Sequence, residues 1–508
     1  MHLKQTRRNG RIYLSVVQNY REGGATKTKT VESIGYADAF ADRYPDPVEH
    51  FKAYVRELNE RRRAENPPIS LTFPRDAEID AGHVASARWG SAIALAYLDA
   101  LGVRGFFEAR AGHTGFPPHA GRIFEMLASE RVIHVASKRE SWQRRASFPR
   151  ACDFTLAEMY EALSCFVRND RALATAMARS YERMRGPYRT ESVTLVLAPF
   201  SLPDAGDVRA ADGPTAPARE APSAGIGVFI DRNSMPMGYR ITSATPTPEE
   251  VAALVADAKA TLGARRVIAV AGRTPHADSI LSALAATGDG FVFYRPIRET
   301  LPEMQSWVTD DAGYTTTQSG SYKVKSRLGD AAGIPVRELV LWGRDYAAMA
   351  RKERGAEGGG EGELDGYICI ASNETRLPAG VLFHLYRELW RLIEPFQVME
   401  SDFSPSPYPV DHATHLRAHF LICYAAFFAM RLLRSDMGWT SNAAQVADAL
   451  QRMEGTYLAE NWFVFSYRSD VSDAIERAAG VDAARRLRTA ADIRRGINQA
   501  REHIETPR

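Results

Sequence analysis

Alternation of apolar and polar positions is clearest at the start of the chain. RIYLSVVQNY and TKTKTVESIGY each alternate enough to form a strand, and REGGA between them supplies a glycine turn, so the pair predicts a hairpin. A helix is predicted from Pro47 to Glu65, ended by Asn66-Pro67-Pro68. From about residue 80 to 187 the pattern is helical. WGSAIALAYLDALG ends in the helix stop Gly102, and AGRIFEMLASERVIHVAS and TLAEMYEALSCFVRND follow.

The pattern then changes. SVTLVLAPF is an apolar, β-branched run of the kind found in a buried strand. Residues 201–222 are rich in Pro, Ala, Gly and Asp and predict a loop. GIGVFI and MGYRITSA flank the turn Asp231-Arg232-Asn233-Ser234. Thr247-Pro248-Glu249-Glu250 starts a helix, with Thr247 as cap, Pro248 at the first helical position and Glu250 completing a capping box. RRVIAVAG, PHADSILSALAATG and FVFYRPI predict strand, helix and strand. GYICIAS adds a strand and PAGVLFHLYRELWRLIEPFQVME a long helix. The order β-β-β-α-β-α-β-α predicts a mixed sheet in an α+β/α/β chain with an RNase H-like core. An interruption at about 299–362, with SYKVKSRL, VRELVLWG and the glycine-rich GAEGGGEGE, is expected to be a β-containing insertion. The expected domains are a hairpin-plus-helix unit (1–65), a helical domain (80–187), the core (190–435) and a polar helical tail (436–508).

Composition narrows this picture only modestly. At 508 residues the chain predicts two to four domains, on a prior of about 150 residues each. Hydrophobic content of 45% and charged content of 25% are those of a globular protein. The net charge of +2 means that any nucleic-acid signal has to come from local patches. Cys152, Cys165, Cys369 and Cys423 are scattered without a CxxC pair, which argues for buried thiols in a reducing cytoplasm and against a disulfide framework or zinc site. MHLKQTRRNGRIYLSVV lacks the apolar run of a signal peptide. FLICYAAFFAMRLL is too short to span a bilayer, contains Arg431, and is expected to be a buried core helix.

Taken together, YLSVVQNYREGGATKTKTVESIGY, LGVRGFF, GVFIDRNSMPM, YKVKSR, LDGYICIAS, YRELWRLIEPFQVMESDF and HLRAHFLICYAAF resemble bacterial insertion-sequence DDE transposases of the IS-four superfamily, in the branch with an N-terminal YLxxVxxYREGG hairpin. The resemblance runs over nearly the whole chain and rests on the order and spacing of these pieces. It implies DNA transposition and recombination by a mobile element, in which two divalent metal ions, usually Mg²⁺, held by three carboxylates, stabilise the attacking and leaving oxygens of a phosphodiester. In this family the acids come from the first strand, the end of the fourth strand and the long last helix.

All three expected positions lack an acid. The first falls on Ala198, and the second on Gly272, followed by Arg273. The third belongs to the helical signature Y-x2-R-x3-E-x6-K. Counted from Tyr386, the arginine position is Leu389, the glutamate position Ile393 and the lysine position Glu400, while Tyr386, Trp390 and Phe396 keep the frame. Glu394 is the candidate substitute, but one step along a helix turns a side chain by about 100° and lifts it by about 1.5 Å. Asp204, Asp207 and Asp212 lie in the loop after the first strand, where solvated charge is the plainer reading.

The DNA-binding candidates are Lys4, Arg7, Arg8, Arg11, Lys27 and Lys29 in the hairpin unit, and Lys138, Arg139, Arg144 and Arg145 around Trp142 in the helical domain. Cations contact phosphates, and an aromatic among them packs on sugar or base. An ordinary solvated surface is the alternative for each patch, and the preferred one for Arg61, Arg62 and Arg63. Arg387 and Arg391 lie on the last core helix, placed to touch a phosphate. His412, His415 and His419 have helical spacing but lack the glutamate of a zinc-protease motif, so they are read as structural.

The expected protein is therefore a transposase-like binder of double-stranded DNA that no longer cuts, needing no cofactor. Its DNA would include insertion-sequence terminal repeats. It would act as a homo-oligomer or in mixed oligomers with an active transposase, in the bacterial cytoplasm at the nucleoid and away from membranes. The competing readings are an active Mg²⁺-dependent transposase that uses other acids, and a relic without selected function.

Overall fold

A computed structural model of the chain describes residues 1–508 except 9, 23–24, 66–85, 135, 202–222, 273, 275–276, 298–299, 301, 317–321, 345, 349–361, 363, 397–411, 460, 483 and 507–508. It divides into two compact units, Met1–Asp80 and Ala81–Arg508.

In the first unit the predicted hairpin is β2 (Arg11–Glu22) with β3 (Ala25–Tyr36), preceded by an additional antiparallel strand, β1 (His2–Arg8), so the sheet order is β1-β2-β3. Irregularities at Leu14/Ser15 and Val16/Val17 interrupt the pairing of β2 with β3. Such bulges break strict alternation, and Leu14, Ser15, Val16 and Val17 are all buried in succession. Helix α1 (Pro47–Glu65) has the predicted bounds, and Asn59 on it donates to the Met1 carbonyl at 2.9 Å.

The second unit opens with β4 (Ser86–Arg88), followed by α2 (Trp89–Ala100), α3 (Val103–Glu108), α4 (Ala120–Ile133), α5 (Lys138–Gln143), α6 (Leu156–Arg168) and α7 (Asp170–Arg185). Gly102 takes the left-handed conformation (φ +81°) between α2 and α3, as a helix stop should. Thr155 and Glu158 form a reciprocal capping box at the start of α6.

A nine-stranded mixed sheet follows. Its elements are β5 (Val193–Ser201), β6 (Ser223–Ile230), β7 (Pro236–Thr242), α8 (Pro248–Leu262), β8 (Val267–Ala271), α9 (Ala277–Ala286) and β9 (Gly290–Arg295). Then come α10 (Pro302–Thr309), β10 (Thr315–Thr316), β11 (Tyr322–Ala331), β12 (Ile334–Gly343), β13 (Tyr367–Ser372) and α11 (Ala379–Phe396). The spatial order is β10-β11-β12-β13-β9-β8-β5-β6-β7. Strands β5, β8 and β9 are parallel, and every other pairing is antiparallel. The expected insertion is thus β-containing, but its long strands β11 and β12 extend the main sheet through β13 instead of forming a separate layer. At α8, Thr247 caps as expected, but Glu250 binds the backbone N–H and hydroxyl of Ser243 (2.9 and 2.6 Å), so the capping box is not closed.

Helix α12 (His412–Asp436) holds the apolar run. Ala413–Asp436 is long and apolar enough to cross a membrane, and 89% of its most apolar window is buried within the protein, as in a core helix. After it come α13 (Ala443–Arg452), β14 (Glu454–Tyr457), β15 (Trp462–Phe465), α14 (Asp470–Ala479), β16 (Leu487–Thr489) and α15 (Ala490–Glu505). The segment expected to be a polar helical tail therefore also contains strands. They pair in the order β16-β15-β14-β4, which joins this segment to the start of the helical region. Its helices bury Ile475, Ile493, Ile497 and Ile504.

Candidate functional site

The parallel strands β5 and β8 pair in register through Leu197 and Ala271. Ala198 and Gly272 are the next residues on each, so two of the three expected acid positions come side by side at the carboxyl ends of the central strands. They line one cavity of about 20 Å³ with Pro199, Ser243, Thr274 and Phe293 among its walls, and no Asp or Glu occurs among the described residues that line it. That space holds about one water molecule. Helix α11 packs on β5 and β8. A Cβ added to Gly272 would meet Leu389 Cδ2 at 3.4 Å. Tyr386, Leu389, Leu392 and Phe396 are buried, and Phe396 lies 6.5 Å from Phe200 of β5. The backbone of Ile393 and Glu394 is helical, but their side chains lie outside the described residues, as do Glu400 and Asp204, Asp207 and Asp212.

A pair of Mg²⁺ ions requires several hard oxygen ligands. The described groups around Ala198 and Gly272 do not fit that requirement. Among the described residues no group of three or more His, Cys, Asp or Glu is arranged to hold a metal ion.

One carboxylate on α11 was not singled out from the sequence. Glu388 is buried, with Arg391 at 2.5 Å and an ion pair to the equally buried Arg431 of α12. His384 is 3.8 Å from it. Burial alone would raise the Glu388 carboxyl, but Arg431 and Arg391 outweigh it and hold the group below its ordinary value. Burial, with Arg431 and Arg391 nearby, pushes the Arg434 guanidinium down to about 10. Glu388 is thus committed to guanidinium groups. The signal for it in the sequence is weak: a Glu in an apolar helix, and an Arg inside the apolar run of another.

The DNA-binding candidates fall in different surroundings. Lys4, Arg7 and Lys29 are exposed, whereas the side chains of Arg8 and Lys27 lie outside the described residues. Arg11 binds Asp38 through two contacts (2.5 and 2.7 Å) and lies over Tyr36. In the second unit Arg139 is exposed, but Lys138 is buried and not displayed on the surface as the patch reading expected. Trp142 donates to the Phe154 carbonyl at 3.1 Å and carries Arg145 on its ring at 3.8 Å. Arg144 is shared between His134 and Glu140. Arg387 is exposed, and Arg391 is paired with Glu388. His415 stacks on Tyr160, and His419 approaches Cys423 Sγ at 3.3 Å; the side chain of His412 is outside the described residues. All four cysteines are buried and outside any disulfide, and burial raises the Cys152 and Cys369 thiols to about 12.

The second unit is thus a mixed α/β body with a small cavity, partly lined by hydroxyl side chains, where its central parallel strands end. Residues 2–69 match the family model described as IS1634 family transposase, N-terminal domain, and this match supports an insertion-sequence, transposase-like protein. No curated protein matches the chain.

Proposed function

We propose that the protein is a transposase-like binder of duplex DNA, built on an RNase H-like core, that has lost metal-dependent strand cleavage. The order β7-β6-β5-β8-β9, with β5, β8 and β9 parallel, supports the core assignment, since it follows from three antiparallel strands continued by two α-β units. The observation that carries the loss of cleavage is the meeting of Ala198 and Gly272 in one small cavity without a carboxylate among its described walls. The described walls offer neutral hydroxyls such as those of Ser243 and Thr274, which do not offset the cost of holding a bare dication as carboxylates would. DNA binding draws on the match at residues 2–69 and on exposed Lys4, Arg7 and Lys29. The bacterial cytoplasm, terminal-repeat DNA and homo- or mixed oligomers are part of the same proposal.

The test is a cleavage and strand-transfer assay on the ends of its own element with Mg²⁺ or Mn²⁺. No nicked or joined product is expected from the unmodified protein. Ala198→Asp, Gly272→Asp and Ile393→Glu together are expected to create metal binding measurable by calorimetry. Metal-dependent cleavage by the unmodified protein, abolished by Glu394→Ala, would overturn the proposal and establish the active-transposase reading.

A further inference from the structure

Helix α7 was not among the basic segments considered above, yet it presents an exposed cationic ridge on the second unit. Its buried side is Leu173, Ala174, Met177, Tyr181 and Met184. Arg171, Ala172, Thr175, Arg179, Glu182 and Arg183 are exposed on the other side. Arg171, Thr175, Arg179 and Arg183 follow each other at four-residue steps and so form one stripe. Over its eight residues the step from Arg171 to Arg179 covers about 12 Å along the axis. The side chains between these arginines are short.

The ridge stands between two clefts. One, of about 1210 Å³, is bounded on its far side by Gly102, Gly105, Phe106 and Arg110. The other, of about 850 Å³, is bounded by Tyr239, Arg240 and Ile241 of edge strand β7, with Asp257 and Thr261 of α8. Arg171, Thr175, Arg179, Glu182 and Pro187 line both. In the second cleft Asp257 is neutralised by Arg240 at 2.5 Å and Asp170 by Arg417 at 2.8 Å. Glu182 is an exposed acid beside the stripe, against Arg171, Arg179 and Arg183. Arg183 donates to Ser180 Oγ, whereas the Arg171 and Arg179 guanidinium groups form no ion pair among the described residues.

We infer that helix α7 enters the major groove of duplex DNA, with the flanking clefts receiving the two sugar–phosphate ridges that border the groove. The inference rests on the DNA-binding reading above and names a docking surface for it. A single helix raised between two clefts is the complement of a groove about 12 Å wide between two anionic walls. The net positive ridge supplies the charge complementarity, and the short side chains between the arginines let the helix approach the bases.

The experiment measures binding of the full chain to a fluorescent duplex over a salt series, for the unmodified protein, for Arg171→Ala with Arg179→Ala, and for the charge-matched control Arg452→Ala with Arg494→Ala. All four side chains are exposed, and the thermal transition of each variant checks that folding is intact. Each lost phosphate contact lowers the slope of log affinity against log salt by about one. The ridge variant is therefore expected to lose about two units of slope and roughly tenfold or more in affinity, while the control keeps the unmodified slope. Guanine N7 methylation, which marks the major groove, is expected to interfere with binding by the unmodified protein. Equal slopes for the ridge variant and the unmodified protein, or insensitivity to guanine methylation, would overturn the docking surface and leave the DNA-binding reading standing. Failure of the unmodified protein to bind any duplex at low salt would overturn both.

Discussion

Glu388 is a buried carboxylate held by two guanidinium groups. It lies on the helix that the family resemblance assigns to catalysis, yet Arg431 and Arg391 hold it and His384 lies beside it. Arg431 is nearly fully buried, and its Nη1 has no hydrogen-bond partner among the described residues. Removing the carboxylate leaves that guanidinium buried without compensation, so Glu388→Ala is expected to cost about 3–5 kcal/mol in denaturant unfolding. The pH dependence has a definite sign. The folded group sits below its ordinary value, so its stabilisation is complete above the unfolded pKa and is lost as pH falls through the folded one. Glu388→Gln should flatten this acid limb. A variant as stable as the parent, with an unchanged acid limb, would show that the pair contributes nothing.

At the scale of elements, what could be read from the sequence was what local physics controls. The glycine stop at Gly102 and the Thr155 cap are local, and helix α1 and strands β5–β9 appear where periodicity puts them. Strand β1 was missed because HLKQTRR has little apolar alternation and depends on pairing with β2. The insertion's strands were found, but their membership of the main sheet depends on β12 pairing with β13 across a long separation in sequence. The site was half legible. The register of Ala198 and Gly272 could be counted along strands, whereas the burial of Lys138 and the pairing of Glu388 with Arg431 depend on tertiary packing. The stripe on α7 was legible in its four-residue spacing but not in the clefts beside it. The capping box of α6 offers a clean check on this scale. Thr155→Ala removes the acceptor for the Glu158 N–H at 3.2 Å, and a loss of about 1 kcal/mol is expected in chemical unfolding. No measurable change would mean that water replaces the cap without cost.

At the scale of the whole molecule, the end of the chain is where composition misleads most. Residues after 436 are polar enough to suggest an appendage, yet they complete the core around helix α2. A Cβ on Gly496 would stand 2.2 Å from the Trp89 ring, and one on Gly90 would stand 1.9 Å from the Leu450 carbonyl. These contacts put α15 and α13 directly against α2. Arg185, at the end of α7, binds both the Ile504 carbonyl and Asp436 at 3.0 Å. Strand β4 has its described partner in β14. A chain ending at residue 442 would therefore expose Trp89 and leave β4 unpaired, and it is expected to lose cooperative unfolding and to aggregate. A chain of residues 81–508 keeps every one of these contacts and should melt with the main transition of the full-length protein. Differential scanning calorimetry of the two truncations decides between them. A cooperative transition at the parent temperature in the 1–442 chain would mean that the terminal segment is dispensable to the core, and that the apparent continuity from α2 to α15 carries little of the stability.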